Sequence, residues 1–204
     1  MSAAALAFAG LMFLLYPALR PWTDETTTPG AIEAMSSPAW VASHVFAMLG
    51  FIAVGLGLLA LHARVSSRSS LTALITAWIG TGLVLPYYGA EDFGLHALAR
   101  SGAPDLLTVV DEVRYQPVAV TMFGIGLILL AVAGVATALT VRGPAGMLFA
   151  AGYVLFLPQF FLPAAGRIAH GILLAVGCVW LAIVLRRRRD AGINADLAPG
   201  LLER

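Results

Sequence analysis

Four histidines and a few acids stand out in a chain with little polar chemistry. His44 (WVASHVF) and His170 (GRIAHGI) each lie near the end of a long apolar run. Glu91 and His96 lie where another such run ends, in VLPYYGAEDFGLHAL. Imidazoles and carboxylates bind divalent metals and move protons near neutral pH. His44, His96, His170 and Glu91 are therefore the candidate metal ligands, and His44, Glu91 and His170 the candidate acid-base groups. Trp40, Tyr87, Tyr88, Gln159 and Arg167 fall in the same layer and are expected to line a substrate pocket, with Arg167 holding an anionic group. An apolar pocket with a few convergent polar groups is the usual form of a small-molecule site.

Spacing sets conditions on that convergence. Glu91 and His96 are five apart, about 140° on a continuous helix, so they share a site only if the backbone bends between them. Asp92 and His96, at i and i+4, share a face in either case. His44 and His62 lie five turns apart, about 27 Å, on one side of one helix. Stacked haems use histidines arranged this way, so a haem or quinone site with His44 and His170 has to be considered. The span is long for haems wholly inside a bilayer, and a divalent metal suits the residues better.

The elements that must position these groups follow from composition. Of 204 residues, 60 % are hydrophobic and 11 % charged, with a mean hydropathy of +0.89. A soluble domain carries about 25 % charged residues, so this chain cannot cover a water-facing surface. Six apolar segments, near 3–20, 39–62, 71–90, 115–141, 145–164 and 168–186, have about the length a membrane helix needs. The expected fold is all-α: a polytopic bundle of six transmembrane helices arranged as three hairpins, one domain over 1–189, then a cytoplasmic tail over 190–204. LLYPAL, LVLPYYG and LFLPQFF place Pro17, Pro86 and Pro158 at corresponding ends of the odd segments. Proline removes a helix hydrogen bond, so neighbouring groups must approach there.

The connections at that end are the longer ones. Residues 21–38 read as a polar loop with a turn of helix. Residues 90–114 read as two short amphipathic helices, EDFGLHALAR and DLLTVVDEVR, on the membrane surface, with Asp105 as N-cap of the second. The dense Gly and Ala of GLGLLA and GIGLILLAVAG signal close helix packing.

Charge sets the orientation. Eight of the twelve arginines (Arg64, Arg68, Arg142, Arg186 to Arg189, Arg204) fall on one side, which the positive-inside rule makes cytoplasmic. Both termini are then inside, in the plasma membrane, which in a bacterium is the inner membrane. The first segment has no preceding positive residue and no small-residue cleavage site, so it reads as a helix and not as a signal peptide. Lysine is absent, and RRRR reads as a membrane anchor for anionic lipid with no role toward nucleic acid. The single cysteine, Cys178, cannot form an internal disulfide.

There is no HExxH, CxxC, GxSxG or phosphate-binding glycine loop. Three functions stay open: a metal or acid-base site acting on a lipophilic small molecule, a haem or quinone redox protein, and a non-catalytic binding or assembly subunit or carrier.

Overall fold

A computed structural model describes residues 2–197, and those residues contain helices and no strand. All six apolar segments contain a helix. They form α1 (Ser2–Leu19), α3 (Pro38–Val65), α4 (Arg68–Gly89), α7 (Pro117–Val141), α8 (Pro144–Val154) and α9 (Ala164–Leu197). Three shorter helices, α2 (Thr28–Met35), α5 (Leu95–Ser101) and α6 (Leu106–Tyr115), lie in the long connections.

Local chemistry sets the boundaries. Ser37 accepts from the Ala39 amide, Gln116 from the Ala119 amide, and Ser67 and Ser70 form a reciprocal capping box. Prolines 38, 117 and 144 occupy first-turn positions, where a missing N–H costs nothing. Ser66 ends α3 in the left-handed region, and the turn after α7 uses positive φ at Arg142 and Gly143. Asp105 precedes α6, but its side chain makes no capping bond.

Four helices are long and apolar enough to cross a membrane, and α1 and α8 are shorter. The fifth apolar segment is not one helix. It stops at Val154, passes through a turn and a 3₁₀ turn at Pro158–Phe161, and restarts after Pro163 as α9. α9 continues through the arginine run instead of ending near 186; residues 198–204 of the expected tail, with Arg204, lie outside the described residues.

Each large helix packs on its chain neighbours, and α9 returns to α1, closing a ring. The contacts run antiparallel: Leu6 lies against Gly57 and Phe13 against Gly50, while Gly10 meets Cys178 and Pro17 meets Gly171. Phe13, Phe51, Tyr153 and Phe156 fill the centre, with ring centroids 5.1 to 6.1 Å from Phe13. Large apolar side chains such as Ile52, Trp78, Ile128 and Ile183 face outward around the ring. At one end, α2, α5 and α6 form a cap whose own core contains Met35, Trp40, Leu95, Leu106 and Val110.

Two interhelical approaches need glycine. A Cβ on Gly80 would sit 2.7 Å from the Gly126 carbonyl oxygen, and one on Gly171 would sit 2.5 Å from the ring of Pro17. Gly80→Leu is therefore expected to separate α4 from α7 and cost about 1–3 kcal/mol. Gly124→Ala, at a site with nothing within 4 Å, should leave the fold unchanged. Thermal melting in detergent checks the pair, and equal melting temperatures would contradict this packing.

Candidate functional site

The cap end carries most of the buried charge. Arg20 follows the last turn of α1, Glu25 lies in the next connection, Glu91 lies in the turn after α4, and Arg114 lies in the last turn of α6. Arg114 joins them. Its Nε donates to Glu91 Oε1 at 2.7 Å, and its Nη2 donates to Glu91 Oε2 at 3.1 Å and to Glu25 Oε2 at 2.8 Å. The other oxygen of Glu25 accepts from Arg20 at 2.5 Å.

A π-helical turn over Ala90–Gly94 explains how Glu91 gets there. It inserts one extra residue between α4 and α5, closed by the Leu95 amide donating to the Ala90 carbonyl. A π turn brings positions five apart nearer to one face, yet Glu91 and His96 do not meet. Glu91 reaches Arg114, whereas His96 donates from Nδ1 to the Met35 carbonyl at 2.7 Å and ties α5 to α2. Asp92 is fully buried, and neither of its oxygens has a partner, so the Asp92–His96 pair is not formed.

The network borders a cavity of about 520 Å³. His44, Glu91, Tyr87, Tyr88 and Arg167 line it, as do Tyr16, Arg20, Trp22, Glu25 and Arg114. Its other wall is apolar, with Val120 and Phe123 from α7 facing Leu157, Phe160, Phe161 and Leu162 from the broken fifth segment. Tyr87 stacks on Phe123 at 4.2 Å and donates its hydroxyl to the Arg114 carbonyl.

Trp40 stands behind this wall. Its ring stacks on His44 at 4.5 Å and on the Arg20 guanidinium at 4.7 Å, and its N–H donates to the Glu91 carbonyl. Trp22 carries Arg20 at 5.1 Å and Arg167 at 5.5 Å. His170 lies outside the main cavity, beside a void of about 10 Å³ that also touches Gln159 and Arg167. Its Nε2 donates to the Gly152 carbonyl at 2.8 Å, holding α9 to α8.

The four candidate metal ligands are thus dispersed. His44 and Glu91 share the cavity wall, while His96 and His170 fasten helices elsewhere. Among the described residues no group of three or more His, Cys, Asp or Glu side chains is placed to hold one ion. His44 Nδ1 lies 2.8 Å from the Trp40 carbonyl, which can only accept, so Nδ1 carries the proton and Nε2 is the basic nitrogen.

Arg20, Glu25, Arg114 and Trp22 enter the site without having been singled out in the sequence. The only signal there is that RPWTDE and DEVR, in different connections, both place acid and arginine near apolar helix ends. Comparison with known proteins finds no matching family, no matching curated protein and no matching solved structure.

Burial opposes the charge on Glu25, but Arg20 and Arg114 outweigh it and hold the carboxyl below its ordinary 4.5. Burial likewise works against Arg114, and Glu91 and Glu25 more than reverse it, raising its pKa. A carboxylate with a lowered folded-state pKa contributes stability above its unfolded value and loses it as pH falls through the folded value. Melting temperature is therefore expected to fall as pH drops below 4.5, and Glu25→Gln should flatten that fall. Arg114→Gln, which leaves Glu91 unpaired and Glu25 held by Arg20 alone, should cost about 3 kcal/mol at neutral pH. A Glu25→Gln profile parallel to wild type would remove the ion network from the stability argument.

Proposed function

We propose that the chain is a multi-pass membrane protein that binds a lipophilic small molecule in a pocket at its outer face and acts as a non-catalytic binding subunit or carrier. In this reading all six apolar helices cross the plasma membrane as three hairpins, α1 and the fifth segment spanning with help from neighbouring turns. Both termini are cytoplasmic, and α2, α5 and α6 cap the outer side.

One observation carries the reading: a cavity of about 520 Å³, aromatic on one wall and polar on the other, where the cap meets the ring. Ligand sites of this kind measure about 300–1,000 Å³ and combine apolar walls with a few placed polar groups. Binding is favoured over metal catalysis because His44, His96, His170 and Glu91 do not converge. It is favoured over haem because His44 and His170 line separate spaces and His170 is engaged by a backbone carbonyl.

The orientation rests on charge. Arg64, Arg68, Arg142 and Arg186 to Arg188 lie at the ends of α3, α4, α7 and α9 away from the cavity, as cytoplasmic residues would. Ser101→Cys should react with an impermeant maleimide on intact cells, and Ser66→Cys only after permeabilisation. The reverse pattern would invert the topology.

The pocket is tested by filling it. Val120→Trp adds bulk at the cavity wall from a side chain that is already 43 % exposed, so the bundle should still assemble. Organic extracts of purified wild type should contain a molecule that mass spectrometry does not find in extracts of the variant. Identical extracts would count against a bound ligand.

A further inference from the structure

The charges around the cavity do not balance. Three guanidiniums, Arg20, Arg114 and Arg167, face it with two carboxylates, Glu25 and Glu91. Both carboxylates are committed, Glu25 to Arg20 and Arg114, and Glu91 to Arg114. Arg167 has no acidic partner among the described residues. Its one side-chain hydrogen bond goes to the Phe160 carbonyl, and its Nε is buried without a partner. The Nε of Arg20, a side chain 91 % buried, is also unpartnered. Arg20 and Arg167 both lie over the Trp22 ring, at 5.1 and 5.5 Å from its centroid, two like charges at one cavity. Such repulsion is relieved by an anion seated between them.

The apolar side of the cavity opens sideways. Because α8 ends at Val154, the wall next to α7 is closed there only by the turn and 3₁₀ residues up to Leu162. Its lip is unusually bare: Phe161 is 85 % exposed and Leu162 47 %, facing Val120 at 43 %. Phe160 packs on Phe123 at 5.5 Å across the two sides. A polar recess with an apolar side exit fits a molecule with a charged head and a hydrocarbon chain.

We propose that the cavity binds a single-chain anionic amphiphile. Its carboxylate or phosphate head sits between Arg167 and Arg20, and its chain leaves between Val120 of α7 and the Leu157–Leu162 segment. This rests on the pocket reading above and names the class of ligand. A cationic head would meet the unbalanced positive charge, and a neutral head would leave Arg167 without a counter-charge.

The test uses full-length protein in phosphatidylcholine nanodiscs, with protein-free nanodiscs as blank. Radiolabelled oleate is bound and competed with oleyl phosphate, oleyl alcohol and oleylamine. Saturable binding is expected, displaced by the phosphate and at least about tenfold less well by the alcohol and amine, since a charged hydrogen bond is worth about 1.5–3 kcal/mol. The stronger of oleate and oleyl phosphate identifies the head. Arg167→Gln should lose at least about tenfold in oleate affinity while binding labelled oleyl alcohol as wild type does, and Arg167→Lys should recover most of the loss. Phe161→Asp, on the exposed lip, should weaken the 18-carbon acid and spare the eight-carbon acid.

Equal competition by alcohol and acid, or oleate binding unchanged in Arg167→Gln, would overturn the anion assignment while the pocket reading stands. Equal loss of both acids in Phe161→Asp would overturn the side exit. No saturable binding of any of the four amphiphiles would overturn the pocket reading itself.

Discussion

The bidentate grip of Arg114 on Glu91, shared with Glu25, is the interaction on which the cap end is built. It joins the end of α6, the turn after α4 and the connection after α1, segments as far as 89 residues apart in sequence. Removing ions from water costs several kcal/mol each, so such a cluster persists only where geometry and further bonds repay it. Here they do. The Arg114 and Glu91 carbonyls accept from Tyr87 and Trp40, and the Arg20 guanidinium lies between the Trp22 and Trp40 rings. Cation–π contact of this kind strengthens as water is excluded. The tryptophans therefore do for Arg20 what a second carboxylate would otherwise have to do, and the cavity wall keeps an excess of positive charge.

The π turn at Ala90–Gly94 decides which polar groups can meet. A continuous α-helix would send Asp92 and His96 to one face and Glu91 well around from both. In the structure Glu91 faces the cavity, Asp92 is buried without a partner, and His96 is a clasp between α5 and α2. A stretch that resembles a metal half-site is thus a wall carrying one carboxylate.

Much of the architecture is legible in the sequence because bilayer-length apolar runs and capping residues are local signals. Four of the six apolar segments match their helices to within three residues, α9 outruns the sixth, and the capping serines and first-turn prolines fix the starts. The fifth segment fails for a physical reason. Pro158 and Pro163 lie within FLPQFFLP, where apolarity suggests a continuing helix but two missing N–H groups forbid it. The candidate site was legible in part. His44, Glu91, Tyr87, Tyr88 and Arg167 do line one cavity, because a shared end of the bundle puts them at one depth. What depth cannot reveal is direction around the helix axis, and His170 and His96 turn to backbone carbonyls instead. Arg20, Glu25 and Arg114 escape notice because their meeting depends on how two long connections fold back, which no periodicity encodes.

The break in the fifth segment also explains why Arg167 belongs to the cavity. Backbone groups freed from a helix need other partners, most urgently where water is scarce. Between Val154 and Ala164 they are met piecemeal: the Phe156 amide donates to Tyr153, Gln159 to Leu155, Phe160 to Leu157 and Leu162 to Gln159. The Phe160 carbonyl is met by Arg167 reaching back from the first turn of α9. A long cation recruited to satisfy a broken backbone brings a full charge to a cavity where two carboxylates already balance Arg20 and Arg114. The same proline-driven interruption that opens the side of the ring therefore also sets the charge beside the opening. Shape and electrostatics of the cavity have a common local cause.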